Sequence, residues 1–217
     1  MAEQDGASRW DQRYRDPEYY YGTAPNEFLR EQVGALPAGG RVLCIGDGEG
    51  RNGVFLAERG CTVTSLDASA AGLAKAERLA RERGVHLSTL HADLEQYAIG
   101  AGAWDAVVSI WCHLPPPLRR RVHGAIVAGL RAGGVAIIVA YTPAQLAFAS
   151  GGPRERELLP TLAELSCELA PLVLEHAIEH QRLVSEGRAH QGLSAVVEVV
   201  ARQAPMPASG GAAPSLA

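Results

Sequence analysis

The chain has 217 residues, 47% hydrophobic and 20% charged, with a net charge of −4. That length buries a proper core and fits one domain, and that charge gives no global basic field of the kind that holds nucleic acid. No apolar stretch approaches the ~20 residues of a membrane span, and the polar N-terminus MAEQDGASRWDQRYRDPE lacks the apolar core of a secretion signal, so a soluble cytoplasmic protein is expected.

Residues 1–25 are aromatic-rich but not periodic: Trp10, Tyr14, Tyr19, Tyr20 and Tyr21, then Gly22 and Pro25. A helix is expected from Asn26, a good N-cap, with Phe28, Leu29, Val33 and Leu36 on one side and Pro37 and Gly39–Gly40 ending it. Strands and helices then alternate. Strands are expected at 41–45, 61–66, 85–90, 104–110 and 135–141, and helices at 52–59, 69–83 and 116–131. The near-continuous apolar run VAIIVAY at 135–141 is the kind buried on both faces. Arg119, Arg120 and Arg121, the only dense basic run, read as the solvated start of a helix.

This alternation argues for a parallel α/β sheet, Rossmann-like and doubly wound. The end of the chain departs from it. A helix at 158–169 leads to two extended runs, 172–184 and 193–202, separated by SEGRAHQG, which read as a hairpin with one strand antiparallel to the sheet. Residues 1–203 form one expected domain, and the Pro/Gly/Ala-rich tail at 204–217 reads as disordered. The four cysteines show no CxxC spacing, so no metal site is expected; Cys44 and Cys61 fall in the predicted strands as small hydrophobes.

Open parallel sheets bind ligands at the carboxyl ends of their strands. After the first strand comes GDGEGRN, where Gly46, Gly48 and Gly50 permit a tight turn and close approach of a ligand to the backbone. Asp67 ends the second strand, 21 positions beyond Gly46, where a carboxylate can accept both hydroxyls of a ribose. Asp93 follows the third strand, where it could accept from an exocyclic amine or serve as a turn residue. Gly48, Gly50 and Gly53 spell GxGxxG, which alone points to a nicotinamide dinucleotide. The turn nevertheless begins at Gly46, and Asp47 and Glu49 crowd the helix N-terminus with negative charge, which suits a cationic or zwitterionic ligand better than a diphosphate.

The ordered set VLCIGDGEGRN, VTSLDAS, HADL, WDAVVSIWCHLP and LRAGGVAIIVAY resembles the motifs of class I S-adenosylmethionine-dependent methyltransferases, over roughly residues 10–203. Within that superfamily, WDQRYRDPEYYYGTAPNEFL, GEGRN and AHQG are most similar to the small bacterial tellurite-resistance and thiopurine methyltransferase group. The resemblance implies a seven-stranded sheet with the last strand antiparallel, and S-adenosylmethionine as cofactor. It implies that Gly46, Asp47, Gly48, Glu49, Gly50 and Asn52 surround the methionine part and that Asp67 with Ala68 holds the ribose. Asp93 and Leu94 would hold the adenine, and Ile110 and Trp111 would flank the transfer site. Many members carry an acid where Cys44 stands, which leaves the cofactor's amino group to Asp47, Glu49 or backbone carbonyls.

Aromatic faces attract cations, so Trp10, Tyr14 and Tyr21 could close over a sulfonium as a lid hinged at Gly22. An antiparallel last strand puts the hairpin turn over the site. His190, Arg188, His113 and Tyr141 are therefore the catalytic candidates, with Gln191 and Arg182 beside them. The Asn-Pro-Pro-Tyr type motif of nucleic-acid amino methyltransferases is absent, since residues 111–115 read WCHLP. The expectation is a small-molecule acceptor, with a soft nucleophile such as a thiol, selenium or tellurium species, and neither nucleic acid nor membrane as partner. The alternatives are a nicotinamide-dependent oxidoreductase and a cofactor-binding regulatory protein without catalysis.

Overall fold

The computed structural model describes residues 3–205, with side chains from residue 9 onward; residues 206–217, most of the tail expected to be disordered, lie outside this range. The elements run α1 (Glu3–Tyr14), α2 (Glu27–Gln32), β1 (Arg41–Ile45), α3 (Arg51–Glu58), β2 (Thr62–Asp67), α4 (Ala70–Glu82) and β3 (Ser88–His91). Then follow β4 (Trp104–Ile110), α5 (Pro116–Gly129), β5 (Leu130–Tyr141), α6 (Leu162–Glu168), β6 (Val173–Glu186) and β7 (His190–Arg202). They form one seven-stranded sheet of order β3-β2-β1-β4-β5-β7-β6. The first five strands are mutually parallel, and β7 pairs antiparallel with both β5 and β6. The expected architecture is therefore present, hairpin included.

Alternation along the central strands feeds two cores. Val42 and Cys44 of β1 face a layer built from α2, α3 and α4, with Phe28, Leu29, Leu56 and Leu79. Leu43 and Ile45 face α5 and α6, with Val122, Ile126, Leu165 and Leu169. Each such fully buried side chain contributes about 1.5–3 kcal/mol of transfer free energy. Asn26 caps α2 by accepting from Leu29 N–H at 3.1 Å, and Ser69 caps α4 through Gly72 N–H at 3.0 Å. The edge strand β6 is largely exposed and carries Glu175, His176, Glu179, His180 and Arg182, charges of the kind that block edge-to-edge pairing.

Three expectations need correction. Residues 3–14 are helical despite their lack of apolar rhythm; α1 docks on α4, where Asp11 accepts from Ser69 Oγ at 2.5 Å and Ala71 N–H at 3.2 Å. The hairpin turn is only Gly187–Ala189, because the flanking polar residues pair across the two strands from Glu186↔His190 outward. Arg119 is buried rather than solvated. It grips Glu168 of α6 at 2.9 Å, and His123 reaches the same carboxylate at 2.7 Å, so the start of α5 is a clasp between helices.

Candidate active site

The carboxyl edge of the sheet gathers the ends of β1, β2, β4, β5 and β6. Gly46, Gly48 and Gly50 all have positive φ (59°, 54° and 82°), the conformation only glycine adopts without strain. A Cβ on Gly48 would stand 2.6 Å from Tyr14 Oη, and one on Gly46 would stand 2.9 Å from Cys112 Sγ. The loop's upper surface is thus bare backbone roofed by the side-chain ends of Tyr14 and Cys112. Asp67 lies beside it, 8% exposed, and accepts from Gly48 N–H and Ser69 N–H, both at 2.8 Å. One lone pair per oxygen remains, and burial raises the carboxyl above its usual range.

The two loop acids face elsewhere. Asp47 turns beneath the loop, accepting from Ser65 Oγ and, at 3.4 Å, from Gly53 N–H. Glu49 faces the segment 15–26, a strap that joins α1 to α2. Its two oxygens take the N–H groups of Tyr20 and Tyr21, both at 3.1 Å, and Lys75 Nζ lies 2.6 Å away. Asn52 is likewise a strap contact, accepting from Asn26 N–H at 2.9 Å. Both acids are thus engaged by the protein itself, Asp47 by Ser65 and Gly53 and Glu49 by the strap and Lys75. Asp93 accepts from Glu95 N–H at 2.8 Å as a turn residue; Leu94 and Ile110 are buried core, and Ala68 C=O contacts His91 Nε2 at 3.0 Å.

Burial lifts Asp47 to about 7, against the opposing hydrogen bond of Ser65. An acid whose folded value lies above its unfolded value keeps its proton longer when folded, so stability falls as pH rises through that window and levels off above it. Asp47→Asn is therefore expected to gain roughly 3 kcal/mol relative to the parent between pH 5 and pH 8. Urea unfolding at the two pH values measures this; a difference that does not change with pH contradicts it.

A chain of rings runs from the strap across the site. Trp10 stacks on Tyr14 at 5.7 Å between centroids, Tyr14 meets Tyr21 at 6.4 Å, and Tyr21 meets His190 at 4.8 Å. Trp111 stacks on Tyr141 at 4.3 Å and meets His190 edge-on at 5.2 Å. Trp111 has φ +58°, a strained setting for a bulky residue of the sort found where the surroundings over-determine a functional group. What holds it is Glu186, which the sequence did not single out. This carboxylate, buried at the end of β6, accepts from Trp111 Nε1–H at 2.6 Å, from Asn26 Nδ2–H at 2.7 Å, and from Arg51 of α3. Burial works to raise it, but His190, Arg51 and Trp111 together outweigh burial and hold it at about 2.

Of the four catalytic candidates, two take other roles. His113 Nε2 accepts from Tyr141 N–H at 3.0 Å, so the proton sits on Nδ1 and is donated to Trp111 C=O at 3.0 Å. Burial lowers it to about 4, and with both nitrogens engaged it is a neutral brace rather than a base. Arg188 is exposed and pairs with Asp16 at 3.0 Å and Glu18 at 3.6 Å, pinning the strap from outside. Gln191 folds back onto Gly187 C=O, and Arg182 is held by Glu27 and Glu198 at 3.2 and 3.0 Å. His190 and Tyr141 remain within the site, both buried.

Residues 42–134 match the family model for a methyltransferase domain. No curated protein matches the sequence. Among solved structures, one determined for the conversion of a disulfide bond into a thioacetal group during echinomycin biosynthesis is 20% identical, with 94% of this chain and 93% of that chain covered and a TM-score of 0.73. The fold is that of the S-adenosylmethionine-dependent methyltransferases. The N-methyltransferase NodS from Bradyrhizobium japonicum WM9, in complex with S-adenosylhomocysteine, is 16% identical over 91% of this chain and 97% of its own, with a TM-score of 0.67. TehB from Haemophilus influenzae is 18% identical over 91% of this chain and 66% of its own, at 0.66. The matched residues take in the glycine loop, Asp67, Asp93 and Trp111.

Proposed function

We propose that the chain transfers a methyl group from S-adenosylmethionine to a small molecule bearing a soft nucleophilic atom, as expected of the tellurite-resistance and thiopurine methyltransferase group. The observation that carries this reading is the bare, positive-φ backbone of Gly46 and Gly48 beside the half-satisfied carboxylate of Asp67, under an aromatic roof. The cofactor supplies a methyl on a sulfonium. Asp67 would accept the two ribose hydroxyls, and the amides of the loop would lie against the methionine part. Trp10, Tyr14, Tyr21 and Trp111 would supply aromatic surface that attracts positive charge and keeps water out, which is most of what an in-line displacement asks of a protein. The strap carrying Tyr21 serves as the lid.

Titration calorimetry with S-adenosylmethionine, S-adenosylhomocysteine and NAD tests the reading; the first two should bind and NAD should not. Asp67→Ala should weaken S-adenosylhomocysteine binding by about 1–3 kcal/mol, the range for a hydrogen-bond partner removed from buried hydroxyls. Unchanged affinity removes Asp67 from the ribose site.

A further inference from the structure

Arg121, the third arginine of the basic run at the start of α5, is exposed, yet its guanidinium is committed to backbone. Nη2 donates to Leu94 C=O and to Glu95 C=O, both at 2.8 Å. Water would satisfy these two carbonyls as well, and ordering a long arginine costs entropy, so the clamp calls for an explanation. It holds part of the connection between β3 and β4, residues 92–103, which contains neither helix nor strand. Other bonds shape the same turn. Asp93 Oδ1 accepts from Glu95 N–H at 2.8 Å, and Asp93 C=O accepts from Gln96 N–H at 3.0 Å and Tyr97 N–H at 2.8 Å. Leu94 is buried in the layer that includes Val122 and Ile126 of α5. The turn is therefore gripped from the core through Leu94 and from the surface through Arg121. With Oδ1 engaged, Oδ2 is the oxygen that Asp93 offers to a donor.

The sheet order gives that oxygen a place in the site. β2 lies between β1 and β3. The glycine loop follows β1, Asp67 ends β2 and Asp93 follows β3; Asp67 pairs with His91, and Asp67 C=O accepts from Ala92 N–H at 3.1 Å. A ribose whose hydroxyls meet Asp67 sends its two other substituents in diverging directions. With the methionine part along the glycine loop on the β1 side, the base would extend to the β3 side, one strand spacing of about 5 Å away. There it would meet the 93–95 turn. The group of adenine that can donate to a carboxylate oxygen is the exocyclic amine.

We propose that Arg121 is a positioning residue for nucleobase selection: its clamp on Leu94 and Glu95 fixes the turn so that Asp93 Oδ2 meets the 6-amine of the cofactor's adenine. This rests on the methyl-transfer reading above. A hydrogen bond discriminates between bases only if its acceptor is held still, and an irregular connection has no ladder of its own to hold it. Arg121 supplies that hold from α5 and acts through Asp93, not on the cofactor.

Titration calorimetry of the full chain with S-adenosylhomocysteine and with its 6-deamino analogue, in which hydrogen replaces the amine, reads the selection as a ratio of affinities. The parent should prefer the amine by at least about tenfold, the range for a hydrogen bond to a charged acceptor. Arg121→Gln should contract that preference to about threefold or less, mainly through weaker binding of S-adenosylhomocysteine. Arg121→Lys keeps the charge and loses the planar fork, so it should give an intermediate preference, and it carries the test if Arg121→Gln does not fold. Arg120→Gln, the same charge change at the exposed neighbour, should keep the parent's preference. A merely structural Arg121 would lower stability or weaken both ligands alike. An unchanged ratio in the Arg121 variants therefore overturns the proposal, as does an equal contraction in Arg120→Gln. A parent that binds both ligands equally overturns it by removing Asp93 from the base. Each of these outcomes leaves the methyl-transfer reading standing; a parent that binds neither ligand sinks that reading and the proposal with it.

Discussion

Replacing Glu186 by leucine is expected to cost about 3–5 kcal/mol of folding stability, the range for breaking a buried ion pair from one side. Arg51 and Glu186 have side chains each 6% exposed, so the guanidinium left behind would have no carboxylate and no water. Trp111 Nε1 and Asn26 Nδ2 would lose their acceptor at the same time. The reason to expect so large a loss is desolvation of the survivor, not the intrinsic strength of the pair. A double variant distinguishes the two. Glu186→Leu with Arg51→Met should recover much of the loss, because an apolar pair of similar volume replaces two buried charges. Urea unfolding of the parent, both single variants and the double variant gives the coupling. Additive losses would mean that the two residues do not act as a buried pair.

Gly50→Ala is the second large effect. At φ +82° a side chain already costs about 1–2 kcal/mol, and the new Cβ would lie 2.7 Å from Ala76 Cα on α4 and closer still to its Cβ. That neighbour is helix backbone and cannot step aside, so overpacking adds about 1–3 kcal/mol. Gly84→Ala is the matched control. Its φ is +68°, and nothing lies within 4 Å of the added Cβ. The thermal midpoint of Gly50→Ala should fall well below that of Gly84→Ala; equal midpoints would show that α3 and α4 do not meet closely at this glycine.

The parts of the fold legible in the sequence share one property: their signal is local. β1, β2 and β4 are apolar runs bounded by glycines or by an acid, and the caps at Asn26 and Ser69 sit one residue before their helices. α1 is not legible because EQDGASRWDQRY contains a glycine and no apolar stripe; its helix depends on docking against α4. The site divides the same way. Gly46, Gly48 and Asp67 follow strands and declare themselves by position. Glu186 looks like one polar residue in a polar turn, and its role exists only once Asn26, Arg51 and Trp111 arrive from three distant segments. The setting of His113 was not legible for a related reason: nothing in WCHLP says that a strand amide, Tyr141 N–H, will occupy its second nitrogen.

The strap also bears on the order in which the chain folds. Its anchors are far apart in sequence: Asn26 to Glu186 spans 160 positions and Asp16 to Arg188 spans 172. Such closures come late, since the loop entropy must be met before the contact forms. The hairpin that supplies Glu186 and Arg188 is itself built from the last two strands. A segment near the beginning of the chain therefore waits for one near its end, and the aromatic roof is the final piece to dock. In a refolding experiment, protection of the Tyr20 and Tyr21 amides, held by Glu49, should trail that of the β1 and β4 amides. The glycine loop and the strands around it can thus be assembled before anything closes over them.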